Sequence, residues 1–357
     1  MTSARVALLA GLLLTLALIG LEARYQRHAG PLWRDEVTSV NVAAQPTLAG
    51  VLTAVPYDSF PLGWPLVLHG WIAAGQGDSD GELRRLGFVV MLATFAVLWW
   101  AGRRLGLDAP LVTLLLLGMS PSVLVYGGQV RGYGLGALTI AWCFAATWHY
   151  LHAPGAGRLL LAALAATAAV QTYFANAFLV AAFAVGGAAV TLPARRTHAL
   201  AGLVAVDALA AASLLLDLPS FTYALQVAPL EQRETSLAWL VEVFRHALAP
   251  GVPLLAACWI LAPVLAIAGC LWTWRRAAQD RAAADLACFV LVSALAALPA
   301  YFGYLHGVAR LPTQYWYYLS LMAVLALACD AGTALLARRW RHGALARTAV
   351  VAATALA

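Results

Sequence analysis

Long apolar blocks, most of them close to the length of a membrane span, alternate with short polar segments along the chain. A bilayer span needs roughly 20 mostly apolar residues. Hydrocarbon tolerates only closed hydrogen-bonding patterns, so blocks rich in Leu, Ala and Val indicate helices. The pattern predicts an all-α, polytopic membrane protein with about ten transmembrane helices. They are expected at residues 6–22, 86–102, 110–126, 132–151, 158–172, 176–192, 199–216, 251–273, 283–302 and 315–336.

Two longer segments separate these spans: a first external loop at about 23–85 and a second at about 217–250. Within the first, Phe60 to Gly75 is apolar but short, and it contains two prolines and a histidine. Treating this segment as a span would reverse the sidedness of everything after it. We therefore expect an interfacial or re-entrant helix there, inside the first external loop.

The composition agrees with a membrane protein and not with a soluble domain. The chain is 63% hydrophobic, and its mean hydropathy is +0.80. Its net charge of +6 comes from arginine alone, and in a membrane protein such an excess reports topology, so no nucleic-acid partner is expected. If the N-terminus is cytoplasmic, most arginines fall in short inner loops and most acids fall outside, as the positive-inside rule requires.

The chain is expected to form a single transmembrane domain over residues 1–357. The first apolar run lacks a good cleavage site and predicts an uncleaved span. The last run, Thr348 to Ala357, is too short to cross a bilayer, so either the native chain extends past Ala357 or it ends in a half-span. The five cysteines lie in apolar blocks without paired spacing, which indicates neither disulfides nor a zinc site.

Candidate chemistry begins just after the first span, in LWRDEVTSVNVA, where Asp35 and Glu36 are adjacent. Neighbouring residues on a helix point about 100° apart, so the two carboxylates cannot both face one substrate. One of them is expected to face a site. The structural alternative is that Asp35 caps a helix that starts at Glu36, while Glu36 stabilises the positive N-terminal end.

A second candidate is Arg131 in SPSVLVYGGQVRGYG, flanked by Tyr126, Gln129 and Tyr133. An arginine at the mouth of a span is costly unless it snorkels or meets an anion, and its planar fork suits phosphate.

Further external loops carry Arg310 and the pair Arg84 and Arg85. Because the positive-inside rule predicts few outer arginines, a shared anion is the interpretation we favour over snorkelling.

Other polar residues carry weaker signals. His69 and His306 are predicted to be external, but no metal-ligand spacing accompanies them. Asp207 and Asp330 fall within or near spans, where an acid is a functional candidate by default. We expect Asp330 to lie near a helix end and to be solvated.

The order of these features resembles that of the glycosyltransferases of the C superfamily. The match comprises Asp-Glu in a long first external loop, then PLGWPLVLHGWIAAGQGDSDGELRRLG, then SPSVLVYGGQVRGY. It spans roughly residues 1–200, with a looser echo at Arg310. The branch it is similar to uses dolichyl- or polyprenyl-phosphate sugars, and it includes protein mannosyltransferases and the lipid A aminoarabinose transferase.

This resemblance implies a catalytic centre at Asp35, with Glu36 beside it. Arg131 and Arg310 would bind the phosphate of a polyprenyl-phosphate sugar donor, and we add Arg84 to them because of its position. The substrate cavity would be formed by Tyr126, Gln129, Tyr133 and His69.

The resemblance also implies partners and a location. The acceptor would be a lipid, a glycan or a protein, in contact with membrane lipids on the extracytoplasmic side of a bacterial-type plasma membrane. No cofactor is expected, and the need for a divalent ion is open. Two departures affect the acceptor side: Gln129 and Val130 replace an expected acid, and QTYFAN, at 171–176, lacks an expected histidine.

One carboxylate suffices for such a transfer, because a phosphate leaving group needs no protonation, unlike the leaving group of a glycosidase. A single displacement inverts the anomeric carbon. The alternative function is a transporter or flippase of lipid-linked sugars, which predicts charges near the bilayer midplane and inverted repeats. Here the charges lie mostly at the external rim.

Overall fold

The computed structural model describes residues 2–231, 236–309 and 313–356. Within these ranges every regular element is a helix and no strand occurs, which confirms the all-α prediction. The helices, in chain order, are α1 (Ser3–His28), α2 (Arg34–Ala43), α3 (Leu48–Ala54), α4 (Gly63–Ala73), α5 (Asp80–Arg104), α6 (Leu111–Thr113), α7 (Pro121–Tyr126), α8 (Gly132–His152), α9 (Ala156–Thr172), α10 (Asn176–Thr191), α11 (Thr197–Ser213), α12 (Leu218–Glu231), α13 (Leu237–Leu248), α14 (Pro253–Arg275), α15 (Arg281–Gly303), α16 (Leu319–Ala337) and α17 (Gly343–Leu356).

Several helices have the length and apolarity of membrane spans. In the described part of the chain there are six of them: Ser3–His28, Asp80–Arg104, Thr197–Tyr223, Pro253–Arg275, Arg281–Gly307 and Tyr315–Ala337. The protein is therefore a multi-pass membrane protein by helix length and composition. The shorter α9 and α10, of 17 and 16 residues, reach only about 24–26 Å at 1.5 Å per residue. Their assignment as spans, and the total of ten, stay predictions.

The predicted span at 110–126 is interrupted in the structure. It consists of the single turn α6, π-helical residues Leu114–Gly118, and α7. Between them Ser120 is extended, with φ −69° and ψ 123°, and Pro121 starts α7. A proline has no N–H to continue the preceding helix and disfavours the helical conformation in the residue before it, so the chain restarts there.

Three short helices, α2 to α4, lie in the first loop, which is predicted to be external. α4 has 11 residues and is therefore about 17 Å long, too short to cross the hydrocarbon core, which agrees with the prediction of a non-spanning helix. It packs against α2, α9 and α5. Trp64 and Leu68 are fully buried there, so one face of α4 belongs to the protein core.

The second long segment, at about 217–250, is also predicted to be external and is largely helical in its described residues. Asp217, where α11 gives way to α12, is buried. Its Oδ1 accepts a hydrogen bond from the Leu62 N–H at 2.8 Å, and its Oδ2 accepts one from Gln171 Nε2 at 2.9 Å. These bonds tie together the two segments predicted to be external.

Polar contacts gather at opposite ends of α5, which is 25 residues or about 37 Å long. We call the end that holds α2 to α4 the outer end, after its predicted sidedness, and the opposite end the inner end. At the inner end, Asp330 is fully buried. It accepts a hydrogen bond from the Thr113 N–H at 2.9 Å and forms an ion pair with Arg347 of α17. The prediction that Asp330 is solvated is wrong, because α6 and α17 cover it.

Candidate functional site

Helix α2 starts earlier than its sequence suggests. Its first residue is Arg34, and its N-cap is Trp33, with φ −89° and ψ 167°. Asp35 is therefore not the cap, and that part of the structural alternative is wrong. Glu36, in the first turn, accepts a hydrogen bond from the Trp33 N–H at 3.0 Å, so it does stabilise the positive end of the helix.

Glu36 is fully buried, and donors occupy both of its oxygens. Arg84 donates to it through Nη1 at 3.4 Å and Nη2 at 3.2 Å, and the Val130 N–H donates at 2.9 Å. Arg84 also donates Nε to the Gly30 carbonyl at 3.0 Å and Nη2 to the Pro31 carbonyl at 2.8 Å. Glu36 therefore connects α2, α5 and the turn before α8, and it does not face an open site.

Arg131 is the N-cap of α8 and is buried. Its Nη1 donates to the Asp35 carbonyl at 2.9 Å, to Ser39 Oγ at 2.9 Å and to Asp58 Oδ1 at 3.1 Å. Its guanidinium lies over the Phe60 ring, 4.6 Å from the centroid, where a cation–π attraction adds to the ion pair. The Arg131 side chain thus fixes the first turn of α2 through the backbone carbonyl of Asp35.

Asp58 is the carboxylate partner that Arg131 requires. It is buried and also accepts hydrogen bonds from Ser39 Oγ at 2.8 Å and from the Ser59 N–H at 2.7 Å. Burial raises the pKa of Asp58, while the Arg131 guanidinium and these donors act in the opposite direction. A buried charge needs such a partner because an uncompensated one is strongly destabilising.

Asp35 differs from the other two acids in being open to solvent. Its side chain is 28% exposed, and its ion-pair partner is Arg34 at 3.1 Å, whose side chain is 88% exposed. An ion pair on the surface contributes little and exchanges easily with water. The prediction that one of the two adjacent carboxylates faces a site is consistent with this geometry, and the open one is Asp35. We call Asp35, Glu36, Asp58, Arg84 and Arg131 the outer polar cluster.

Two of the three arginines predicted to bind a donor phosphate, Arg84 and Arg131, have other partners in the structure. Arg84 and Arg131 are both buried and each is paired with a carboxylate of the first external loop. A phosphate would have to compete with Glu36 or Asp58 for them. In this geometry both arginines hold α2 in place, through Glu36 and through the Asp35 carbonyl. Their direct contact with a phosphate stays a prediction. Arg310 lies outside the described residues.

The residues predicted to line a substrate cavity are placed differently from one another. Tyr126 is partly exposed and packs edge-to-face on Trp316, with centroids 4.9 Å apart, whereas Tyr133 is buried against Phe60 at 4.9 Å. Gln129 Oε1 is buried and has no hydrogen-bond partner among the described residues.

His69 lies on α4 and is partly buried. Its Nδ1 is 2.8 Å from the Ala43 carbonyl, so this nitrogen carries the proton and donates it. The bond ties α4 to the C-terminal end of α2.

Sequence reasoning did not find Asp58 or Ser39. Asp58 stands 73 residues before its partner Arg131, and no local pattern links the two. The useful signal was indirect: a buried arginine at the mouth of a helix needs an acid, and the first loop carries several acids. In the described residues, no group of three or more His, Cys, Asp or Glu side chains could hold a metal ion.

No protein-family model, curated protein or solved structure matches this chain. The resemblance to the C-superfamily glycosyltransferases therefore rests on the motifs quoted above.

Proposed function

We propose that the protein is an integral-membrane glycosyltransferase that moves a sugar from a polyprenyl-phosphate donor to an acceptor hydroxyl or amine, with Asp35 as the general base. The observation that carries this proposal is the contrast within the outer polar cluster. Glu36 and Asp58 are buried and saturated with donors, whereas the Asp35 carboxylate is partly exposed on a helix whose first turn is fixed by Arg131.

In the proposed reaction, Asp35 accepts the proton of the acceptor O–H or N–H as that atom attacks the anomeric carbon. The bond between the anomeric carbon and the phosphate oxygen breaks, and its electron pair stays on the phosphate. A positioned base of this kind contributes about 100-fold to 10,000-fold to a rate. No acid is needed for the leaving group, because a phosphate is already a weak base.

The supports around Asp35 are consistent with this task. A base must be held within hydrogen-bond reach of the proton it removes. Arg131 grips the Asp35 backbone carbonyl at 2.9 Å, and Glu36 anchors the next residue of the helix from the buried side. The lipid-linked donor would reach this end from the bilayer and the acceptor from the aqueous side, at the extracytoplasmic face of a plasma membrane of the bacterial type.

The proposal is tested with purified protein in detergent and a panel of short-chain polyprenyl-phosphate sugars, by measuring release of polyprenyl phosphate. In Asp35→Asn we expect turnover to fall at least about 100-fold, whereas the midpoint of thermal unfolding should equal that of the wild type. The matched control is Asp108→Asn, an exposed acid near the inner end. Adding and chelating divalent ions in the same assay decides whether a metal takes part.

Two outcomes would contradict the proposal. Full turnover by Asp35→Asn would remove Asp35 from the base role. Binding of the donors without release of polyprenyl phosphate, across hydroxyl and amine acceptors, would favour the transporter or flippase alternative instead.

A further inference from the structure

The first membrane helix contains one buried carboxyl group that the proposed reaction does not use. Glu22 of α1 is only 1% exposed. Among the residues that the structure describes, no basic side chain forms an ion pair with it. It accepts a hydrogen bond from Gln26 Nε2, one turn further along α1, at 2.8 Å. An acid inside a membrane helix is costly, and such residues are commonly retained for a function.

Gln26 connects this carboxyl group to the turn between α7 and α8. Its Nε2 also donates to the Gly128 carbonyl at 3.1 Å. The turn leaves no room for a side chain at this point: a Cβ on Gly128 would lie 2.0 Å from Gln26 Nε2 and 2.4 Å from Glu22 Oε1. On the other side, a Cβ on Gly87 of α5 would lie 1.8 Å from the Gly128 carbonyl oxygen. The turn is therefore enclosed between α1 and α5.

The same turn leads directly to the proposed base. The Val130 N–H donates to Glu36 Oε1 at 2.9 Å, and the next residue, Arg131, holds the Asp35 carbonyl at 2.9 Å. Displacement of the turn would thus move both groups that fix the first turn of α2.

We infer that Glu22 and Gln26 are positioning residues, which hold the turn at 127–131 and through it Asp35. The inference rests on the proposed function for its kinetic part. The terminal torsion of a glutamine side chain is broad, so the Gln26 amide needs a partner to fix its direction. The Glu22 carboxyl group is that partner, since it accepts from the same nitrogen that reaches Gly128.

The experiment compares four variants of the full chain in detergent. Gln26→Leu and Glu22→Leu remove the link, whereas Glu22→Gln keeps an acceptor oxygen for Gln26. The matched control is Thr15→Val on the same helix, which loses a hydrogen bond from Trp99 Nε1 to Thr15 Oγ1 of 2.9 Å. If Gln26→Leu does not fold, Gln26→Asn, shorter by one methylene, takes its place.

Two readouts are measured: amide hydrogen exchange of residues 127–131 and of α2, and the kinetic constants of transfer. In Gln26→Leu and Glu22→Leu we expect exchange of the Val130 amide to rise about tenfold, as for the loss of a buried hydrogen bond. We expect kcat to fall at least about tenfold, with KM for the donor little changed, because the base is misplaced. Glu22→Gln is expected to retain most of both properties, and Thr15→Val to change neither.

Unchanged exchange of the Val130 amide in Gln26→Leu overturns the inference, and so does faster exchange with an unchanged kcat. If the wild type transfers no sugar from any donor, the proposed function fails, and exchange of the turn and of the α2 amides alone decides whether the two residues position them.

Discussion

The two ends of the bundle both bury ion pairs, but they differ in what remains open. At the inner end, Asp330 and Arg347 join α16 to α17, and Thr113 of α6 completes the contact. We call these three residues the inner polar cluster. At the outer end, the buried pairs Arg84–Glu36 and Arg131–Asp58 surround a third carboxylate, Asp35, which stays partly exposed.

A buried ion pair is by itself weak evidence for a functional site. Buried pairs are costly to form and costly to break, and they can serve only to fix how helices meet. The residues of the inner polar cluster serve only in this way: they hold α6, α16 and α17 together. In the outer polar cluster the pairs fix short helices that present a partly exposed carboxylate, Asp35, and this group is the candidate for chemistry.

The largest effect on stability is expected from breaking the pair Arg131–Asp58. Arg131→Met leaves the buried Asp58 without its counter-charge, so we expect about 3–5 kcal/mol of lost unfolding free energy. In the double variant Arg131→Met/Asp58→Leu no charge is left uncompensated, and much of this loss should be recovered. Unfolding in mixed micelles measures both. A single variant as stable as the wild type would show that the pair does not support α2.

A loss of about 3 kcal/mol is expected when the inner polar cluster is broken, because Asp330→Leu leaves Arg347 unpaired in the bundle. This variant tests whether the two ends act independently. Transfer activity per folded molecule should be unchanged, since Asp330 lies at the far end of α5 from Asp35. Loss of transfer at an unchanged unfolding free energy would contradict the separation of the two ends.

The smallest effect is expected at an exposed ion pair on α13. Arg245 Nη2 is 2.6 Å from Glu242 Oε1, but both side chains are more than half exposed. Pairs of this kind contribute little because water and salt screen them. Arg245→Gln should therefore leave both the thermal midpoint and the transfer rate unchanged. A marked loss of transfer would identify Arg245 as part of a binding site at the outer end.

The site was only partly predictable from the order of residues. Helical geometry requires Asp35 and Glu36 to point in different directions, and the structure agrees, with Glu36 buried and Asp35 open. Which of the two turns inward depends on Arg84 of α5, 48 residues away. In the same way, Arg131 could be recognised as costly, but its partner Asp58 could not be named.

The helical membrane architecture, the positions of most long helices and the shortness of α4 were predictable from the residues alone, because these properties follow from local apolarity and length. The burial of Asp330 and the pairing inside the outer polar cluster could be known only from the way the helices pack. The physical reason is that burial and pairing depend on which distant segments pack together. Composition and spacing report what a residue requires, whereas the fold determines which neighbour supplies it.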